Sequence, residues 1–260
     1  MLGPVEAFLL GALQGVTEWL PVSSSGHLVI LQTALGLTLP VFFDALLHMG
    51  TLLVTLTYYR ADIRRMLKST VRLDFKSDDG RYVPLILTGT VPTLFIVLIF
   101  REFLESLFFN LWAVAVAYLA VAPLLFYSRP RSDRDRLSYL DAFLIGFLQG
   151  VAVIPGISRS GATIGVGLMR GLSPKAAARY SFLLSVPSTL GAVLLESSEL
   201  PAAGVDLPLY LAGMAVATAV GYCSLRVLLK ALTGGRFHQF AYYCAALGFV
   251  LLLVSSFLTR

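Results

Sequence analysis

The sequence predicts an all-α protein that crosses a membrane several times. Of its 260 residues, 57% are hydrophobic and only 13% are charged, and its mean hydropathy is +0.80. Soluble domains carry about a quarter charged residues. The apolar runs are too long for strands and show little alternation of period two. A third observation shapes the fold: segments 7–28 and 142–163 are close copies of each other.

The two copies, AFLLGALQGVTEWLPVSSSGHL and AFLIGFLQGVAVIPGISRSGAT, are identical at 11 of 22 paired positions. Such similarity at a fixed spacing indicates an internal duplication. The copies differ where chemistry would differ, with Glu18, Ser24 and His27 in the first facing Val153, Arg159 and Ala162 in the second. We expect the acid, the imidazole and the guanidinium to meet in one composite site.

Six apolar segments are each near the roughly 20 residues that cross a bilayer as a helix. These spans are expected at 41–59, 83–100, 109–127, 178–196, 208–229 and 240–258.

Around each repeat copy the apolar segments are shorter, and Pro, Ser and Gly interrupt them. The broken pairs are 4–20 with 24–36 and 139–155 with 159–172. Non-helical backbone at membrane depth is tolerated only where it is buried in protein or lines a wet cavity. We therefore expect two re-entrant hairpins.

The basic residues predict the orientation of the chain. Segments 60–82 and 128–138 are separated by two spans, and the basic residues within 170–179 and 226–236 fall on the same side. This places 17 of the 20 Lys and Arg residues on one face, which is expected to be cytoplasmic. Both termini and the acidic segment 196–206 are expected outside. The net charge of +5 reflects this topology, and nucleic acid is not an expected partner.

An odd number of spans, three, separates the two broken pairs. The halves 1–127 and 139–260, joined by the cytoplasmic loop 128–138 in a single membrane domain, should therefore insert upside down relative to each other. The first hairpin then enters from outside and the second from the cytoplasm. Inverted repeats of this kind place a site near the midplane, at the repeat interface.

Ionisable residues inside a membrane are costly and mark functional sites. A guanidinium such as that of Arg159 needs an anion in low dielectric. Ser158, Ser160 and Thr163 surround it at the start of a helix, which favours a phosphate or carboxylate ligand. The alternative is that Arg159 only forms an internal ion pair with Glu18.

Glu18 is suited to hold a divalent cation or to act as a general base. Gln14, one turn earlier on the same helix face, offers an uncharged carbonyl oxygen. His27 is suited to proton transfer, and Ser24 is a candidate nucleophile that His27 could activate.

Four further residues have two interpretations each. Ser23 and Ser25 either bind substrate or satisfy the broken backbone. Asp44 and His48, four apart and so on one helix face, either line the same cavity or hydrogen-bond across helices.

The motifs QGVTEWLPVSSSGHL and PGISRSGAT, followed by SFLLSVP at 181–187, resemble the signatures of the undecaprenyl-pyrophosphate phosphatase family of the bacitracin-resistance type. The resemblance covers essentially the whole chain. It implies an inverted repeat with two re-entrant hairpins in the plasma membrane. It also implies removal of the terminal phosphate of undecaprenyl pyrophosphate, which recycles the lipid carrier for cell-wall polymers, and a requirement for Mg²⁺ or Ca²⁺.

The resemblance also assigns roles to individual residues. Glu18 becomes the essential acid associated with the metal, Ser24 a nucleophile or substrate ligand, and His27 the acid/base or, in some schemes of the family, the attacking group. Arg159 becomes the pyrophosphate clamp, with Ser158, Ser160 and Thr163 beside it. Gln14 stands where the family often has Glu, and Ser25 replaces a frequent Thr.

A different class of function also fits the predicted architecture. Inverted repeats with broken helices occur in transporters, so the alternative is a flippase of polyprenyl phosphate. The group Glu18, Ser24 and His27 favours hydrolysis, because a transporter needs no metal-bound acid and no proton donor beside a serine. The expected partners are the lipid substrate and the bilayer, and a homodimer is compatible with the sequence. Whether Ser24, His27 or water attacks stays open.

Overall fold

The computed structural model describes residues 2–108, 110–130, 132–197 and 206–258. Within them the chain is all-helical, with no strand beyond one isolated bridge between Arg134 and Leu172. Residues 198–205 of the expected outer loop lie outside the described residues, as do Arg131 and Arg260.

The helices follow the predicted segments closely. They are α1 Pro4–Thr17, α2 Ser24–Ala34, α3 Val41–Tyr58, α4 Arg60–Val71, α5 Tyr82–Ile99, α6 Arg101–Leu107, α7 Leu111–Tyr127, α8 Tyr139–Val151, α9 Arg159–Met169, α10 Pro174–Ser197, α11 Leu207–Thr233 and α12 Phe240–Leu258, with a 3₁₀ turn at Phe237–Gln239.

Each of the six predicted spans is a helix. Five of them, α3, α5, α10, α11 and α12, are long and apolar enough to cross a membrane alone. The sixth, α7, has 17 residues and reaches that length only together with its bent partner α6. The chain is therefore a multi-pass membrane protein with five to six candidate spans.

Both broken segments are helix pairs whose breaks are closed by equivalent serines. Ser23 is the N-cap of α2, with a φ of 63°, and its Oγ accepts hydrogen bonds from the backbone N–H groups of Gly26 at 3.3 Å and Gly156 at 3.0 Å. Ser158 caps α9 by accepting from Gly161 N–H at 3.0 Å. The first break is thus bonded directly to the second, because Gly156 belongs to the turn before α9.

Two pairs of helices approach each other very closely. Helix α1 packs against α11, and α8 packs against α5. A Cβ on Gly11 would overlap the carbonyl oxygen of Gly213, and one on Gly146 would overlap that of Gly89. Small residues let the backbones approach this closely, as in other membrane helix pairs.

Three basic segments meet at one end of the molecule. The guanidinium of Arg179 pairs with Asp62 at 2.6 Å and Asp79 at 3.1 Å, which joins α10 to α4 and to the link before α5. The buried carboxylate of Asp141 pairs with Arg134 at 2.8 Å and Arg170 at 2.9 Å. Segments 60–82, 128–138 and 170–179 therefore lie on the same side, as the sequence predicted.

Candidate active site

A cavity of about 260 Å³ lies where the two broken pairs meet. Its polar lining comes from both breaks and from α3, α5, α8 and α10, and comprises Glu18, Ser23, Ser24, Ser25, Asp44, His48, Thr93, Gln149, Arg159, Ser188 and Thr189. The ends of α5, α6 and α10 add an apolar lining of Leu94, Val97, Leu104, Phe108, Val193 and Leu195, with Arg101 and Glu105 beside it. The cavity is thus suited to a ligand that has both a charged group and a hydrocarbon chain.

The buried carboxylate of Glu18 is the centre of the polar lining. Its Oε1 is in close contact with the guanidinium of Arg159. Its Oε2 accepts hydrogen bonds from Ser24 Oγ at 2.6 Å and from Gln14 Nε2 at 3.0 Å, and lies 3.4 Å from His48 Nε2. Four side chains from two halves of the chain therefore converge on one acid.

Ser24 and Arg159 occupy equivalent positions in the repeat, and each is the first residue of its helix. Both contact the same carboxylate of Glu18. The expected encounter of the acid and the guanidinium is present in the structure. It takes the form of the ion pair that the sequence left as an alternative, and both partners line the cavity.

His27 lies away from this cluster. Its Nδ1 is 2.7 Å from the carbonyl oxygen of Ser23 and 2.7 Å from the hydroxyl of Tyr118, and its Nε2 is 2.7 Å from the hydroxyl of Tyr243. It is not among the residues that line the cavity. The structure therefore does not bring the imidazole to Glu18 and Arg159, and its acid/base role stays a prediction.

The predicted substrate-binding serines divide into two groups. Ser23 and Ser25 line the cavity, next to the N-terminus of α2, where free N–H groups and the helix dipole favour an anion. Ser158, Ser160 and Thr163 do not line it. Their hydroxyls bond inside the protein: Ser158 caps α9, Ser160 donates to Leu20 O at 3.3 Å, and Thr163 donates to Arg159 O at 2.8 Å.

His48 lies close to the Glu18 carboxylate, although the sequence left open whether it lines the cavity. The backbone carbonyl of Asp44 lies 2.7 Å from Nδ1 of His48, which directs Nε2 towards Glu18. The Asp44 carboxylate accepts a hydrogen bond from Gln32 Nε2 at 2.9 Å, and both Asp44 and His48 line the cavity. Their i, i+4 spacing was the available signal, but only the packing of α3 shows that this face meets Glu18.

The cluster contains oxygen donors that suit a hard divalent cation. Carboxylate and amide oxygens are the ligands that Mg²⁺ and Ca²⁺ take. Besides the Glu18 carboxylate there is Gln14 Oε1, which is buried and has no hydrogen-bond partner. In the part of the chain that the structure describes, no three His, Cys, Asp or Glu side chains form a metal-binding group. A divalent cation at Glu18 would therefore need further oxygen ligands, such as those of a bound phosphate.

The fold and the cavity define an integral membrane protein with a charged binding site enclosed by two broken helix pairs. A model of the family described as "Bacitracin resistance protein BacA" matches residues 7–250, and the chain belongs to this family.

Curated relatives match over nearly the whole chain. The "Undecaprenyl-diphosphatase" of Methanosphaera stadtmanae is 36% identical over 273 residues, covering 98% of this chain and 99% of the relative. Proteins of the same name from Desulfosudis oleivorans and Syntrophotalea carbinolica are 42% and 40% identical, covering 96% and 97% of this chain and 98% and 99% of the relatives.

Proposed function

We propose that this protein hydrolyses undecaprenyl diphosphate to the monophosphate and inorganic phosphate, recycling the carrier lipid and conferring resistance to bacitracin. Relatives named for this activity align with nearly the full length of the chain. The observation that carries the proposal is the convergence of Ser24 and Arg159 on the carboxylate of Glu18 in a cavity. A serine can attack phosphorus, a carboxylate can take its proton, and a guanidinium can stabilise the charge on the transferring group.

The cavity suggests how the substrate lies. The diphosphate binds between the Arg159 guanidinium and the first turn of α2, where Ser24 and Ser25 line the cavity. Arginine holds phosphate oxygens through two parallel N–H donors. The first isoprenoid units lie against Leu94, Val97 and their apolar neighbours, and the remaining tail extends into the bilayer.

The short contact between Ser24 and Glu18 favours Ser24 as the attacking group. Glu18 takes the hydroxyl proton while Ser24 Oγ bonds to the terminal phosphorus, and the bond from that phosphorus to the bridging oxygen breaks. Lipid monophosphate leaves with that oxygen. Water then attacks the phosphoserine, Glu18 returns its proton to Ser24 Oγ as the bond from that oxygen to phosphorus breaks, and the proton of the water leaves with inorganic phosphate. Arg159 stabilises the charge on the transferring group in both steps.

We also propose that a divalent cation, Mg²⁺ or Ca²⁺, binds at Glu18 and Gln14 Oε1. When bound, it neutralises charge on the diphosphate oxygens. Gln14 would contribute by turning its amide, since its present orientation, with Nε2 towards Glu18, suits a carboxylate without a cation.

The proposed architecture is an inverted repeat with two re-entrant hairpins. In this repeat α1 corresponds to α8, and α11 corresponds to α5. The contact of α1 with α11 then has its counterpart in that of α8 with α5, and the contact of Gly11 with Gly213 in that of Gly146 with Gly89. With the basic end in the cytoplasm, the cavity beside Arg101 opens to the outer face of the plasma membrane, and both termini lie outside. Cysteine accessibility in intact cells tests this orientation.

The test is phosphate release from undecaprenyl diphosphate by the purified protein in detergent. Wild type, Glu18→Gln and Arg159→Ala are compared with Mg²⁺, Ca²⁺ or EDTA. We expect turnover by wild type only, and its loss in EDTA. If wild type releases no phosphate under any metal, hydrolysis is excluded and the flippase alternative leads. Light scattering on the same sample tests whether the protein forms a homodimer, with which the sequence is compatible.

A further inference from the structure

A second cavity, of about 550 Å³, lies at the other end of α5. Arg81, Tyr82 and Leu85 line it at the start of this helix, whereas Arg101, just beyond its last residue, lines the candidate active site. Along α5 the second cavity is lined as far as Leu85 and the candidate active site from Thr93 onwards, with no lining residue in common, so about 12 Å of helix separate the two linings. The second cavity is therefore a separate site at the basic end of the molecule.

The lining of this basic cavity is rich in guanidinium groups. Arg81, Arg134, Arg136 and Arg179 line it, with Asp78 and Asp135 as the only acids among its lining residues. Two of the arginines are already neutralised, because Arg134 pairs with Asp141 and Arg179 with Asp62 and Asp79.

The other two arginines keep most of their donors available. In the described part of the chain Arg81 has no acidic partner and makes one hydrogen bond, to Leu137 O at 2.8 Å. The nearest acid to Arg136 is Asp78, at 3.7 Å, beyond normal hydrogen-bond length. In addition, Arg179 Nε is buried and has no acceptor. A buried donor without a partner is costly, and this one belongs to a residue that lines the cavity.

We propose that the basic cavity binds a phosphate group, supplied by an anionic lipid headgroup or by free phosphate. Arg81 and Arg136 would hold its oxygens, with Arg179 Nε as a third donor, and Tyr82 and Leu85 would contact the adjoining glycerol or acyl carbons. Basic pockets between membrane helices on the cytoplasmic side bind such headgroups, and the volume suits a headgroup-sized ligand. This site is independent of the proposed hydrolysis.

The experiment measures the thermal unfolding midpoint of the purified protein in neutral detergent during titration with dioctanoyl phosphatidylglycerol, dioctanoyl phosphatidylcholine or inorganic phosphate. Ligands that bind the folded state raise the midpoint. We expect phosphatidylglycerol to raise it and phosphatidylcholine to leave it unchanged. Arg136→Gln and Arg81→Gln/Arg136→Gln should weaken the apparent affinity by about fivefold and by more than about tenfold, respectively. An equal shift with inorganic phosphate identifies free phosphate as sufficient.

The matched control is Arg64→Gln/Arg72→Gln, which removes two exposed charges from the same end of the protein but outside the cavity. It should bind like wild type. Arg136 is 75% exposed and makes no close ion pair, so its single variant remains folded even if loss of the Arg81 bond to Leu137 does not permit folding. Equal affinity in the Arg136→Gln variant and the control, or the same response to phosphatidylcholine, would overturn the proposal.

Discussion

The two broken helix pairs share a sequence motif but contribute differently to the cavity. In the first pair, Glu18, Ser23, Ser24 and Ser25 all line the cavity. In the second, Arg159 lines it while Ser158 and Ser160 bond inside the protein. The shared serines close the two breaks, and the residues that differ between the copies supply the chemistry.

This difference shows how a duplicated element becomes an asymmetric site. The capping role of Ser23 is repeated by Ser158, since an uncapped helix start is costly in both copies. The next position, Ser24 in one copy and Arg159 in the other, is free to diverge because it is the first helical residue in each. Because this position differs between the copies, the Ser24 hydroxyl and the Arg159 guanidinium contact the two oxygens of the Glu18 carboxylate.

The largest expected effect comes from these two equivalent positions. Ser24→Ala and Arg159→Ala should each lower kcat/KM by at least about 10³-fold, because each removes a group that acts in the transition state. Phosphate release from undecaprenyl diphosphate measures this loss. Thr163→Ala, one turn further along α9 but off the cavity, is the control and should stay within about threefold of wild type. Activity of Ser24→Ala near that of wild type would exclude Ser24 and leave His27 or water as the attacking group.

The equivalent glutamines offer the next comparison. Gln14→Glu should lower the Mg²⁺ concentration for half-maximal activity by about tenfold, since a second carboxylate raises cation affinity. Gln149→Glu should not, because Gln149 Nε2 donates to Ser188 and Thr93 instead of Glu18. Metal titration after removal of bound ions with EDTA gives both values. A lower Mg²⁺ requirement in both variants would contradict the assignment of Gln14 as the metal ligand.

His27 and its counterpart Ala162 sharpen the comparison further. If His27 mainly holds the turn at Ser23, His27→Gln should reduce activity by about tenfold and lower the unfolding midpoint, as loss of a buried hydrogen bond does. Tyr118→Phe, which removes a neighbouring bond to the same turn, should behave alike. If instead His27→Gln is as inactive as Ser24→Ala with an unchanged midpoint, His27 is the acid/base implied by the resemblance.

The smallest effect on activity is expected at the glycines that the copies share. Gly11→Ala and Gly146→Ala should each destabilise the protein by about 1–3 kcal/mol, because the added Cβ meets backbone. Activity of the folded fraction should be retained. Gly191→Ala is the stability control, since nothing lies within 4 Å of a Cβ there. Unfolding midpoints measured in detergent compare the Gly11→Ala and Gly146→Ala variants with this control. An unchanged midpoint for Gly146→Ala would contradict the close contact of α8 with α5.

The amino-acid sequence alone was sufficient to predict the membrane class, the apolar helices and the two breaks, but not the helices α4 and α6, which lie in segments without a long apolar run. Composition excludes a soluble domain, and the length of each apolar run sets each helix. It also predicted that Glu18 and Arg159 meet, since these residues differ between the two copies, and the structure has this contact. The catalytic roles of Glu18, Ser24 and Arg159 stay predictions. The duplicated motif and charge distribution predicted the inverted repeat, which stays a proposal.

Only the tertiary structure decided which polar side chains face the cavity. Ser158 and Arg159 are adjacent in the sequence, yet the first caps a helix and the second reaches Glu18. His48 joins the same carboxylate from α3, while His27, nearer in the motif, bonds to Tyr118 and Tyr243. The physical reason is that helix rotation is set by contacts distant in sequence, such as those at Gly11 and Gly146, which no local pattern contains.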